Sequence, residues 1–167
     1  IANASVAELR AMLEVHITGT FLCAREALRR MQPARKGHIV VIGSHVAHRA
    51  FTECAGYTAA KAGQAGLVRV LAEEARPYDI RVTNLLAGAT DTPIWDDRPG
   101  FDRTKMMKPE DVAGFLVSIV ARARQASTWA AVSPTSPRPV ATFSGPILSS
   151  LSIVRRVRTT SVIPRPR

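Results

Sequence analysis

Apolar residues recur at spacings of three and four along the first part of the chain: Leu9, Met12, Leu13, Ile17, Phe21, Ala24, Leu28 and Met31. That period predicts an amphipathic helix over residues 5 to about 32. Ser5 with Glu8 three residues on is a capping-box start. Gly19 between Thr18 and Thr20 weakens its middle, and Pro33 and Gly37 end it. The pattern then changes. Residues 38–43 (HIVVIG) are short, β-branched and continuously apolar, as expected of a strand covered on both faces in a parallel sheet. From Gly56 to about Arg76 the helical period returns. The first half of this segment is crowded with Ala59, Ala60, Ala62, Gly63, Ala65 and Gly66, and the second half turns Leu67, Val70 and Leu71 inward. Pro77 closes it, and residues 80–86 (IRVTNLL) predict a second buried strand. After a loop with Gly88, Pro93, Pro99 and Gly100, Pro109-Glu110-Asp111 supplies a helix first turn. Val112, Phe115, Leu116, Ile119 and Val120 form the apolar face of that last helix.

Helix, strand, helix, strand, helix is the order of a doubly wound α/β fold with a parallel sheet. Two strands are too few for such a sheet. The fold class is therefore an incomplete doubly wound parallel sheet, with its first strands missing and expected from elsewhere.

Composition narrows the class. The chain has 167 residues, 46% apolar and 22% charged, which fits one globular domain. Cys23 and Cys54 are too few for a disulfide framework and point to a reducing, cytoplasmic setting. No apolar run reaches membrane-spanning length, so no membrane association is expected, and the first residues lack a signal-peptide pattern. The start at Ile1 rather than methionine leaves open a missing upstream part.

The net charge of +10 is unevenly placed. Residues 1–111 hold all 13 acids and 15 of the Lys and Arg; residues 112–167 hold eight Arg and no acid. Nineteen of the 42 residues from 126 to 167 are Ser, Thr or Pro. Residues 125–167 therefore read as a disordered tail, or as out-of-frame sequence, which loses acids and gains Ser, Arg and Pro in this way. A strand is suggested only around 152–157, where Arg155 and Arg156 interrupt it. A basic tail can bind polyanions without reading bases. With Phe143 the lone aromatic after Trp129 it has no stacking platform, so nucleic acid is set aside as a partner and polyanion binding is kept as an alternative.

The chemistry concentrates in the middle of the chain. Tyr57 and Lys61 lie four residues apart on one helix face, so an ammonium stands beside a phenol and favours phenolate. A tyrosine tuned in this way can move a proton at a carbonyl or alcohol oxygen. Tyr-x-x-x-Lys alone is a weak signal. Its context strengthens it, because Ser44 ends the first buried strand 13 residues earlier and Gly88-Ala-Thr-Asp-Thr92 leaves the end of the second. Both belong to the carboxyl edge of an α/β sheet, where ligands bind.

With these motifs the chain resembles the short-chain dehydrogenase/reductase family over about residues 3–124. The resemblance rests on GHIVVIGS (37–44), GYTAAKAG (56–63), IRVTNLLAGATDTP (80–93) and PEDVA (109–113). It implies a Rossmann-like fold and an NAD(P)-dependent oxidoreductase that interconverts an alcohol and a carbonyl on a small-molecule substrate. It also implies roles for individual residues. Tyr57 is the acid/base, Lys61 binds the nicotinamide ribose, and Ser44 orients the substrate oxygen. Gly88, Thr90 and Thr92 meet the nicotinamide end, and Trp95 walls the substrate under a mobile loop. The cofactor supplies the redox chemistry, as NAD or NADP.

The departures are specific. His16 stands where the family has a water-holding asparagine; imidazole can hold a water or shuttle a proton, or be structural. Ala87 replaces the proline of the Pro-Gly turn. None of the ten glycines takes the T-G-x-x-x-G-x-G spacing of the phosphate loop, and no Asn-Asn-Ala-Gly strand occurs. Without that loop the pyrophosphate lacks its helix N-terminus, so the chain resembles the catalytic part alone and is expected to be inactive by itself. Family resemblance also implies a homo-oligomer in the complete form, and a non-catalytic fragment that dimerises through its two long helices is the rival reading. His45 and His48 have no Cys, Asp or Glu at metal-ligand spacing, so no metal site is assigned.

Overall fold

The computed structural model describes residues 1–122, 128–133 and 136–144. Four strands form one sheet in the order β1-β2-β3-β4. β1 (Gly37–Ser44) and β2 (Ile80–Ala87) pair in parallel over their full length, from Gly37 opposite Ile80 to Ser44 opposite Ala87. β3 (Thr128–Ser133) adds in parallel to the other edge of β2, and β4 (Ser136–Ser144) pairs antiparallel with β3.

Helices cover both faces, as in a doubly wound fold. On one face α2 (Gly19–Ala34) and α3 (Ala55–Ala75) bury Ala24, Leu28, Val68, Leu71 and Ala75 against Val41, Ile80 and Val82. On the other, α4 (Pro109–Arg122) packs Phe115 and its apolar neighbours over Leu85 and Val40. β2 is the central strand, and Val82, Thr83, Asn84 and Leu85 are all nearly inaccessible.

The long first helix is not uniform. α1 (Val6–Leu13) opens with the Ser5 hydroxyl accepting from the Glu8 amide at 3.3 Å, as the capping pattern predicts. The next turn, Glu14–Thr18, is π-helical, and the Gly19 amide reaches back five residues to the Glu14 carbonyl. Val15, Ile17 and Thr18 are β-branched and poorly suited to a tight α turn, and Gly19 offers no resistance beyond them. α2 runs through Pro33 to Ala34 rather than ending near residue 32, and Arg35, in the left-handed region at φ 46°, terminates it instead of Gly37.

The small residues of α3 have a partner in this helix. A Cβ on Gly63 would come within 2.6 Å of Ile17 Cδ1, and one on Gly56 within 3.1 Å of Met12 Sδ. Glycine lets the two helices approach that closely.

Two expectations are corrected. Val70 faces solvent at 55% exposure, and Val68, two residues earlier, takes its place in the core. β1 is an edge strand among the described residues, so Ile42 is 45% exposed although its composition suits a strand covered on both faces. Within the stretch read as a disordered tail, residues 128–133 and 136–144 are strands, the edge of β2 from Thr83 to Ala87 taking β3 as a partner. The remainder of that stretch, including 152–157, lies outside the described residues.

The core assignment predicts a contrast. Leu85→Ala, at a fully buried position, is expected to cost about 2–5 kcal/mol. Val117→Ala, on the 64% exposed side of α4, is expected to stay within about 0.5 kcal/mol. Urea unfolding of the two variants measures both, and equal midpoints would refute the core described here.

Candidate active site

Because β1 and β2 are parallel and in register, their carboxyl ends open on one edge, with Ser44 directly opposite Ala87. The chain leaves β1 through a short 3-10 turn at His45–Ala47 and enters α3, which packs back against that turn and both strands. This topology carries Tyr57 and Lys61, in the first two turns of α3, to the edge where the strands end.

Lys61 is 7% exposed. Its ammonium donates to the Ile42 carbonyl at 3.1 Å and to Gln64 Oε1 at 3.0 Å. Burial pushes its pKa below the ordinary lysine value. The Nζ stands 5.9 Å from the centre of the Tyr57 ring. His16 meets the same ring edge-on, with centroids 5.5 Å apart and planes at 65°. Burial, and after it the charge of Lys61, hold the His16 imidazole below its usual pKa, so it is neutral at pH 7. The π turn brings His16, Tyr57 and Lys61 together from two helices.

Ser44 Oγ accepts from the Val46 amide at 3.3 Å, which leaves its own O–H free to donate. Beyond β2, the Thr90 hydroxyl donates to the Gly88 carbonyl at 3.2 Å and staples the turn. Thr92 precedes a 3-10 turn, Pro93–Trp95, and its side chain makes no cap hydrogen bond there. Trp95 is tied down by its indole N–H, 2.8 Å from the Thr90 carbonyl, and it packs on Phe101 with centroids 4.8 Å apart. Ser44 and the Gly88–Thr92 turn thus share the strand edge, while His16, Tyr57 and Lys61 share a direct cluster.

Two features were missed by reasoning from sequence. Gln64 is 5% exposed and bridges Lys61 to Thr20. Its signal was a polar residue one turn after Lys61, on the helix face that carries Ala60 and Ala65. The second is Asp91, which accepts from Arg103 at 2.5 Å and from Lys108 at 2.8 Å, while Arg103 also reaches Asp96. Lys108, and then Arg103, hold the Asp91 carboxyl below the usual carboxylate range. With the Thr90–Met107 bridge, these contacts close the 91–108 segment on itself. Only the folded loop reveals that pairing.

The short chain dehydrogenase family model matches residues 1–101. Sepiapterin reductase of Chlorobaculum tepidum is 33% identical over 105 residues, covering 63% of this chain and 43% of that protein. Cis-4-hydroxycyclohexanecarboxylate dehydrogenase of Sinomonas cyclohexanicum is 33% identical over 142 residues, covering 71% of this chain and 57% of that one. Among solved structures, acetoin dehydrogenase of Enterobacter cloacae superposes with a TM-score of 0.67 at 25% identity, covering 79% of this chain and 56% of its own. The chain spans about half the length of the curated relatives it matches.

The depressed imidazole gives a pH signature. With the folded pKa of His16 below 6.5, the unfolded chain binds the proton more readily between the two values, so stability falls as pH drops from 6.5. His38 and His48 are lowered by burial as well and add to the same slope. His16→Asn is expected to lose less stability than wild type between pH 7.5 and 5. Urea midpoints at the two pH values measure this, and parallel losses would show that His16 titrates as a solvated residue.

Proposed function

The chain belongs to the short-chain dehydrogenase family, whose members use NAD(P), and from that premise we propose that it carries the proton-transfer end of an alcohol–carbonyl oxidoreductase. The observation that supports this most directly is the buried Lys61 ammonium beside Tyr57, at the edge where both parallel strands end.

Each residue takes a role its surroundings permit. Tyr57 is the acid/base: as phenol it donates to a carbonyl oxygen, and as phenolate it accepts the proton of an alcohol. Ser44, with its O–H unclaimed, donates to the same substrate oxygen and orients it. Lys61 has three N–H bonds and spends two on Ile42 and Gln64. The third suits a ribose hydroxyl, which fits the nicotinamide end of an NAD(P) molecule. Gly88, Thr90 and Thr92 line the approach from β2, and Trp95 walls the substrate side. The cofactor supplies or accepts the hydride. His16, neutral and against the Tyr57 ring, can take up a proton passed back from the site, or serve as packing for that ring.

The phosphate end is a different matter. No glycine-rich loop of the family type occurs in the 167 residues, so the anionic part of the cofactor lacks its usual helix N-terminus. We infer that turnover by this chain alone fails, and that NAD-versus-NADP choice is made by residues outside it. A second reading, a fragment that dimerises through its helices, is favoured by the exposed Val15, Phe21, Leu22 and Val70. Sedimentation separates it from the first, because a dimer that binds no NADH supports it.

The experiment is a fluorescence titration of the purified chain with NADH and NADPH, with a panel of carbonyl substrates. Weak binding and no oxidation are expected. Fusing the amino-terminal part of the Chlorobaculum reductase ahead of Ile1 is expected to restore turnover, and Tyr57→Phe in that fusion to remove it by ~10²–10⁴-fold with cofactor binding retained. Near-normal kcat in Tyr57→Phe overturns the acid/base role. Tight binding with turnover by the unfused chain overturns its incompleteness.

A further inference from the structure

Gln64 has no part in the roles assigned above, yet it is 5% exposed and one helical turn from Lys61. A buried carboxamide is costly unless both of its ends are matched, and here both are. Oε1 accepts from Lys61 Nζ at 3.0 Å, and Nε2 donates to Thr20 Oγ1 at 2.8 Å. The orientation follows from chemistry. An ammonium can only donate, so the amide oxygen must face it, and the NH2 group is left for the Thr20 hydroxyl.

Thr20 lies in the first turn of α2, directly beyond the π turn that carries His16. One side chain on α3 therefore connects the Lys61 ammonium to the neighbouring helix. The ammonium needs that support. The titratable groups facing it are Tyr57 on α3 and His16 on the π turn, and no carboxylate pairs with it among the described residues. Its charge is balanced by two neutral dipoles, the Ile42 carbonyl and the Gln64 amide.

We propose that Gln64 is the positioning residue of this site, fixing the Lys61 ammonium between α3 and the end of β1 and tying its placement to α2 through Thr20. A lysine side chain has four rotatable bonds. Two fixed acceptors remove that freedom and leave the third N–H pointing in one direction. What this placement serves rests on the role proposed for Lys61; the placement itself does not.

The test reads Lys61 directly. The chain has four lysines, Lys36, Lys61, Lys105 and Lys108, so the ¹³Cε resonances of lysine-labelled protein can be assigned by single substitutions and titrated one by one. In wild type, Lys61 is expected to titrate below the ordinary lysine value. Gln64→Leu removes the acceptor at nearly constant volume and is expected to lower the Lys61 midpoint by about one unit, the size of one hydrogen bond to a charged group. Gln64→Glu places a carboxylate at the same point and is expected to raise it above wild type. A purely structural role for Gln64 predicts no such opposition of signs. If Gln64→Leu fails to fold, Gln64→Met, which also lacks the acceptor, replaces it and is expected to lower the Lys61 midpoint in the same way. Lys61 midpoints that stay within about 0.2 unit of wild type in the folded variants overturn the proposal. No cofactor is present, so a failure here is distinct from a failure of the oxidoreductase reading, which NADH binding and turnover decide.

Discussion

The parallel ladder between β1 and β2 is the constraint from which the rest follows. Parallel strands cannot be joined by a hairpin, so a helix must cross over between them, and α3 is that helix. The same ladder sends both carboxyl ends to one edge, with Ser44 opposite Ala87. A slip of one residue would turn every side chain of β1 to the opposite face, exchanging Val41 of one core for Val40 of the other. Two packed faces therefore hold the register, and the register places Ser44.

The energetic character of the molecule differs between its core and this edge. Ile80, Val82, Leu85 and Leu71 are all at most 5% exposed, and full burial of such side chains stabilises by about 1.5–3 kcal/mol each. At the edge the balance reverses, because taking an ammonium out of water is unfavourable and its neutral acceptors offset only part of that. The 91–108 loop is different again. Its ion pairs are largely solvent-exposed, with Arg103 at 42% and Lys108 at 61%, and pairs of that kind add little net stability. They select one loop conformation rather than strengthen the fold.

Much of this was legible in the residues. The apolar runs at 38–43 and 80–86, the period from Leu9 to Met31 and the Pro109-Glu110-Asp111 start each announce an element, because burial on a strand or a helix face imposes its own spacing. Tyr57, Lys61 and Ser44 were singled out from separation and strand context. Other features arise only from contacts. The close approach of Ile17 to Gly63 is a contact between helices, which no local pattern records. Val70 and Val68 are equally apolar, and only the angle of α3 on the sheet selects the second. β3 was passed over because its short apolar run, Trp129 to Val132, is bounded by Ser, Thr and Pro residues that read as a tail. Gln64 was passed over because a polar residue among alanines reads as a solvated position until a buried cation is seen beside it.

The π turn at Glu14–Thr18 changes what kind of mutation the first helix can absorb. An α-helix advances 100° per residue, and a π turn holds one residue more than an α turn. Removing a single residue between Glu14 and Thr18 takes out the extra residue of that turn, so the helix can close into regular α form with α1 kept nearly in phase with α2. Met12 would then keep its place against Gly56, and the loss would fall on contacts made inside the turn, such as the imidazole of residue 16 against the Tyr57 ring. Amino-acid replacements along the exposed side of this helix alter one contact each. A single loss within α1 or α2 instead turns every residue before it by about 100°, so these five positions absorb a lost residue better than the regular turns on either side of them.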